Sequence, residues 1–261
     1  MKINFKEEVK EFRLLLSSVP AFTFTVFVLS VVAMNLLANK SLDTGTQYLA
    51  LDCGIILSWA SFLSMDMITK RFGPKAATQI SLVAVAVNLA LCLIFFIASV
   101  IPGSWGEAYG GEAQVSAING ALDGTFGGTW YVLLGSTVAF CASAVINNTL
   151  NFGVGKLFKK NPDGLGAYIL RSYVSTAAAQ FADNLIFALI VSRAFFGWSW
   201  VQCITCAVTG MLVELACEAA FSPLGYLALK RWEARGAGRE YLDYIKTKKE
   251  SKNESVDNGN V

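Results

Sequence analysis

Near the middle of an apolar run from Ala167 to Ala194, the stretch STAAAQFADNLIF (175–187) carries Gln180, Asp183 and Asn184 together. Thr176, Gln180 and Asp183 or Asn184 stand three or four residues apart, so a helix would set them in one stripe, which Phe187 extends. A row offering a hydroxyl, two amides, a carboxylate and a ring face suits a planar, nitrogen-rich heterocycle. The polar groups would pair with its edge and the ring would stack on its plane. The same amides could instead bond neighbouring helices, for about 0.6 kcal/mol each. Glu214 and Glu218 share a helical face at i,i+4, and two carboxylates that close in low dielectric do not readily both ionise. One could hold a proton and couple its movement to transport, or both could pair with Arg171 or Lys70. In DMITKRFGPKAA (66–77) Asp66 stands one helical turn before basic residues and Gly73, where it could latch a neighbouring helix end in one gate state and release it in the other. Lys70, Arg71 and the Gly73–Pro74 turn can also be read as topology determinants and a chain reversal, which leaves Asp66 unexplained.

The elements that would hold these groups follow from composition. With 54% hydrophobic residues, 15% charged and a mean hydropathy of +0.51, the chain is far from the soluble average. A bilayer core about 30 Å thick needs roughly 20 apolar residues in a helix. Six runs approach that length: Val19–Asn39, Leu49–Thr69, Ala76–Ile101, Trp130–Val154, Ala167–Ser192 and Trp200–Leu229. They predict an all-α polytopic membrane protein with six transmembrane helices, since continuous apolar runs do not read as the alternating strands of a barrel. An ionisable group at mid-bilayer costs at least about 2.5–3.5 kcal/mol on insertion scales, so Asp183, Glu214 and their polar neighbours should face the bundle interior. The last run is long enough that it must tilt, kink at Pro223 or continue beyond the bilayer.

Lysine and arginine are unevenly spread among the connections. The N-terminal arm holds Lys2, Lys6, Lys10 and Arg13, the second connection Lys70, Arg71 and Lys75, and the fourth Lys156, Lys159 and Lys160. The first and fifth hold only Lys40 and Arg193, and the Gly-rich third connection (102–129) holds only acidic charges, Glu107, Glu112 and Asp123. Both termini are therefore expected in the cytoplasm. The organisation predicted is a basic N-terminal arm (1–18), a six-helix transmembrane domain (19–232) and a polar, charged tail (233–261) whose last ten to fifteen residues are expected to be disordered. The first run is too long for a signal h-region and no small-residue cleavage site follows it, so it should remain as a helix.

The net charge of +2 reports this topology and carries no nucleic-acid inference. The chain has no histidine, no phosphate-binding G-x-x-x-x-G-K-[ST] and no H-E-x-x-H, so neither an ATPase nor a zinc enzyme is indicated, and no catalytic residue, metal or cofactor is assigned. Its six cysteines are scattered, and Cys203 with Cys206 suits a small apolar role inside a helix.

The order of NLLANKS (35–41), DMITKRFG (66–73), LRSYVSTAAAQFADNLIF (170–187) and SPLGYL (222–227) resembles the vitamin uptake transporter family, also called queuosine precursor transporters. The similarity spans about Asn35 to Trp232, and the R-x-x-x-S-T-x-x-x-Q-x-x-D-x-x-x-F spacing from Arg171 to Phe187 is its most specific part. The resemblance implies a bacterial inner-membrane protein importing a deazaguanine base, queuine or its precursors, for salvage into transfer RNA. By it, Arg171, Ser175, Thr176, Gln180, Asp183 and Phe187 fall on the fifth-helix motif, and Asp66 and Gly73 on the motif after the second helix. Asn148 joins the expected edge contacts, and Trp59, Phe62 and Phe181, the last off the stripe, join Phe187 as expected ring faces. Many members carry an acidic residue at the position of Lys70 and a basic one near that of Glu214. The opposite signs here are explained either by a charge-swapped pair in which Lys70 and Glu214 approach one another or by a different substrate.

Two other readings compete. One is the vitamin-binding S-component of an energy-coupling-factor transporter. Its usual A-x-x-x-A docking face is missing from the first helix, where Ala33 and Ala38 stand five apart, so an ATPase module is not the expected partner. The other is a non-transporting assembly or sensory protein whose polar residues only bond helices. The remaining expected partners are the lipid bilayer and a second copy of the chain, since small residues such as Ala177, Ala178 and Ala179 permit close helix packing.

Overall fold

The computed structural model describes residues 5–105, 112–157 and 165–257. It is 85% helical. In chain order come α1 (Phe5–Ser18), α2 (Ala21–Leu37), the two-residue strands β1 (Ser41–Leu42) and β2 (Leu51–Asp52), α3 (Ile55–Phe72), α4 (Pro74–Val100), α5 (Glu112–Leu157), α6 (Leu165–Phe187), a π-helical turn (Ala188–Arg193), α7 (Ala194–Phe196), α8 (Trp200–Ala234) and α9 (Arg239–Asp257). A helix occupies each of the six apolar runs. Among the described residues, α4, the stretch Thr176–Phe196 and α8 are each long and apolar enough to cross a membrane, and α1 with α2, bent by 99° at their junction, supplies up to one more.

Several boundaries differ from the sequence reading. The second run does not enter its helix at Leu49: Leu51 and Asp52 pair antiparallel with Leu42 and Ser41, and α3 begins at Ile55. Asp52 accepts the Gly54 N–H at 2.8 Å, a local side-chain bond that competes with helix and holds this entry extended. The Gly-rich third connection is helical from Glu112, so α5 is 46 residues long. Side chains tie its first turns down. Asn119 accepts the Trp105 N–H at 2.7 Å, Asp123 accepts the Trp105 indole N–H at 2.6 Å, and Trp105 stacks on Phe126 at 5.1 Å. The last run continues as one helix to Ala234 with Pro223 inside it. The N-terminal arm is a helix, and the tail expected to be disordered in its distal part is helical as far as Asp257.

The chain forms two compact units. The first contains Met1–Ser30, Ala60–Ala84 and Ala219–Val261. In it Glu11, 1% exposed, accepts hydrogen bonds from Lys75 and Lys248, both at 2.6 Å, and Glu8 accepts from the same ammonium groups at 2.9 and 3.2 Å. This clasp joins α1, the start of α4 and α9. Tyr241, 2% exposed, packs edge-on against Phe72 at 6.0 Å, and Arg71 donates twice to the Ala237 carbonyl. Tyr241 and Lys248 thus anchor a tail helix whose composition is otherwise polar. At the α3–α4 turn Gly73 has φ +91°, a left-handed conformation glycine adopts without strain, and Pro74 starts α4 where its missing N–H is not needed.

The second unit contains Val31–Trp59 and Val85–Glu218. An aromatic cluster occupies one end: Tyr131 stacks on Phe195 at 4.2 Å and donates its hydroxyl to Asn39 at 2.9 Å, while Trp130 meets Phe195 edge-on. Amphipathic rings of this kind favour the membrane–water boundary. Arg193 closes the π turn by donating to the Trp198 carbonyl at 3.1 Å, with its guanidinium 4.4 Å from the Trp200 ring centre.

Candidate functional site

A buried polar cluster in the second unit gathers side chains from α3, α5, α6 and α8. Asp183 on α6 accepts a hydrogen bond from the Ser143 hydroxyl of α5 at 3.1 Å. Asn184 donates its amide to Glu214 of α8 at 3.1 Å, and Glu214, 5% exposed, also bonds the Ser58 side chain of α3. Asp183 and Asp52 both lie within electrostatic reach of Glu214. Asp52 precedes α3, and burial pushes its carboxyl up to about 6 despite the Gly54 N–H it accepts. The approach of α6 to α8 depends on Gly210, since a Cβ there would stand 3.0 Å from the Asn184 amide carbon and nitrogen.

The stripe expected from spacing is present in part. Thr176 is half-buried on the same helix, and Gln180 is 3% exposed with neither its amide nitrogen nor its amide oxygen partnered among the described residues. An unmet buried polar group costs about 1–3 kcal/mol, and this side chain leaves two polar atoms unmet one turn from Asp183 and Asn184. Among the described residues no lysine or arginine forms an ion pair with Asp52, Asp183 or Glu214; serine hydroxyls, an amide and a backbone N–H meet them. The cluster is therefore rich in acceptors, and it suits a ligand that brings N–H donors. No group of three His, Cys, Asp or Glu side chains among the described residues is placed to hold a metal ion.

Other expected residues lie elsewhere. Phe187 packs on the apolar cluster of Ala38, Val132 and Val191, which gives its ring a core role. Trp59 is half-buried and donates its indole N–H to the Ile56 carbonyl of its own helix. Phe62, Asp66, Lys70 and Gly73 belong to the first unit. There the Lys70 ammonium stands 4.0 Å from Asp66, both about half exposed. Lys70, in the first unit, has an acid one turn away, and Glu214, in the second, has Asn184 and Ser58. Glu218, half-buried, follows Glu214 by one turn. Cys203 and Cys206 pack with Ala50, Ala188 and Trp198. Asn148 and Arg171 lie outside the residues whose side chains are described.

Sequence reasoning missed Asp52, Ser58 and Ser143. Asp52 interrupts the apolar LALDCGIIL and was a visible signal, whereas a single serine in a greasy helix commonly bonds its own backbone, as Ser58 does to the Ile55 carbonyl at 3.1 Å.

Apolar helices closing around buried carboxylates and amides define a membrane protein with a polar interior. A family model described as "Putative vitamin uptake transporter" matches residues 52–228, more than half of the chain and every residue of this cluster. The protein belongs to that vitamin uptake transporter family, whose substrates are small molecules carried across a membrane. No curated protein and no solved structure matches the chain.

Proposed function

We propose that this protein imports a queuosine precursor, a deazaguanine base such as queuine, across the bacterial inner membrane for salvage into transfer RNA. In this reading residues 19–232 form six transmembrane helices, and the basic arm and the tail lie on the cytoplasmic side, in line with the lysine and arginine distribution. The observation that carries the cargo site is the buried, unpartnered amide of Gln180 beside Asp183 and Asn184. A planar base with ring and exocyclic N–H groups would supply donors to Asp183 and Glu214, and would pair with both atoms of the Gln180 amide. Thr176 and Asn148 would extend the edge contacts, and Trp59 would contribute a ring face. Asp66, Lys70, Gly73, Arg171, Glu214 and Glu218 would serve the gate or its coupling. The chain acts as the carrier itself, without an ATPase module.

The test uses bacteria lacking both queuosine synthesis and their own importer, fed queuine or its precursors, with transfer-RNA queuosine as readout. Wild-type protein should restore the modification, and a Gln180→Ala/Asp183→Ala variant at equal membrane abundance should not. Failure of well-folded wild-type protein to restore it would refute the cargo assignment. Copurification of an ATPase module would refute autonomous transport.

A further inference from the structure

Helix α1 divides its surface three ways. Glu8, Glu11 and Leu15 face the clasp with Lys75 and Lys248. Phe5, Val9, Phe12 and Leu16 recur at i, i+4, i+7 and i+11, which aligns them in one stripe. That stripe is open: Phe5 is 77% exposed, Val9 and Leu16 are exposed, and Phe12 is half-buried. Lys6, Lys10 and Arg13, all exposed, project from the flank adjoining the stripe. Two of the three acids of α1, Glu8 and Glu11, are turned to the opposite flank and neutralised there by Lys75 and Lys248, while Glu7 is exposed on the face away from the stripe.

Orientation comes from the junction with α2, where the axes meet at 99°. Helix α2 is read as a membrane span, and Phe22 and Leu29 on it are open to lipid. A helix nearly perpendicular to a spanning helix runs along the bilayer plane, which brings the α1 stripe to the depth where headgroups meet acyl chains.

We propose that α1 is an interfacial anchor whose Phe5, Val9, Phe12 and Leu16 stripe enters the bilayer surface while Lys6, Lys10 and Arg13 bind anionic phospholipid headgroups. The inference depends on α2 crossing the membrane and is independent of the cargo. It assigns a lipid partner to a part of the chain outside the family match, which begins at residue 52.

The test places full-length protein in nanodiscs of phosphatidylcholine alone or mixed with phosphatidylglycerol and follows hydrogen exchange of the α1 amides. Each basic residue near an anionic surface favours association about fivefold, so phosphatidylglycerol should slow exchange by about tenfold or more. Lys6→Gln/Arg13→Gln, which spares the Lys10 contact with the Tyr244 ring, should remove most of that difference and leave exchange in phosphatidylcholine unchanged. Lys246→Gln/Lys249→Gln on α9 should retain it. Phe5→Ser/Val9→Ser/Leu16→Ser should speed α1 exchange in both bilayers while the α4 amides stay protected. Equal exchange in the two bilayers, a lipid response that survives Lys6→Gln/Arg13→Gln, or its reproduction by inorganic phosphate would overturn the proposal.

Discussion

Replacing Gln180 with leucine distinguishes a cargo site from interhelical glue, because the two roles predict opposite changes in stability. Gln180 is 3% exposed and neither polar atom of its amide has a partner among the described residues. Removing an unmet buried polar group should return about 1–3 kcal/mol, less about 1 kcal/mol for the changed branching in a packed helix. At about 2–4 °C per kcal/mol for a chain of this size, the unfolding midpoint in detergent should stay level or rise by a few degrees. Cargo binding should move the other way. Two neutral hydrogen bonds of about 1 kcal/mol each would be lost, weakening affinity about thirtyfold. Thermal unfolding of purified protein with and without queuine gives the first quantity, and transfer-RNA queuosine at equal abundance reads the second. A midpoint lowered by about 5 °C or more with uptake at the wild-type level would refute the reasoning, for the amide would then be bonding helices.

Gly210→Ala would put a methyl group 3.0 Å from the Asn184 amide and force it to shift beside its bond to Glu214, so uptake should fall by roughly two- to tenfold with little change in abundance. Glu11→Ala removes the buried carboxylate of the clasp; Glu8 retains both lysines, so α9 should open about five- to thirtyfold more often, about 1–2 kcal/mol, as read by amide exchange. The same clasp should depend on pH at both extremes. Hydrogen bonds from Lys75 and Lys248 hold the Glu8 carboxyl below its ordinary 4.5, a stabilisation present above that value and lost as pH falls through the lowered one. The Glu11 and Glu8 carboxylates hold the Lys248 ammonium above its ordinary 10.5, a stabilisation present below that value and lost as pH rises through the raised one. Protection of α9 should therefore be flat from about pH 5 to 10 and decline outside, and a uniform slope across that window would contradict this account.

The sequence made the helices legible wherever apolar length alone decides them, and it made Gln180, Asp183 and Asn184 legible because three polar residues at helical spacing have no ordinary place in a greasy run. Partners were harder to see. Ser58 and Ser143 come from segments 85 residues apart, and a one-oxygen side chain leaves no pattern along its own helix. The charge-swapped pairing of Lys70 with Glu214 rested on signs alone, and sign does not reveal that Asn184 donates to Glu214. Docking of α9 was hidden by composition, since its burial falls on Tyr241 within an otherwise polar stretch. The residues of the α1 stripe were in view as well, but the basic charge around them invites reading the segment as a topology signal, and its helical period goes unnoticed.

The π turn at Ala188–Arg193 has a consequence for comparing this chain with its relatives. Each i→i+5 loop takes up one residue more than an α turn, so the face carried by Gln180, Asp183 and Asn184 loses phase before Arg193 and the aromatic pair Phe195–Phe196. Gly135 of α5 packs directly against the Val191 side chain within that turn, so the extra residue is accommodated by a neighbouring backbone rather than pushed outward. Relatives that keep a regular helix here should be one residue shorter between Asn184 and Gly197, and aligning them without a gap would rotate every later position of the helix by about 100°.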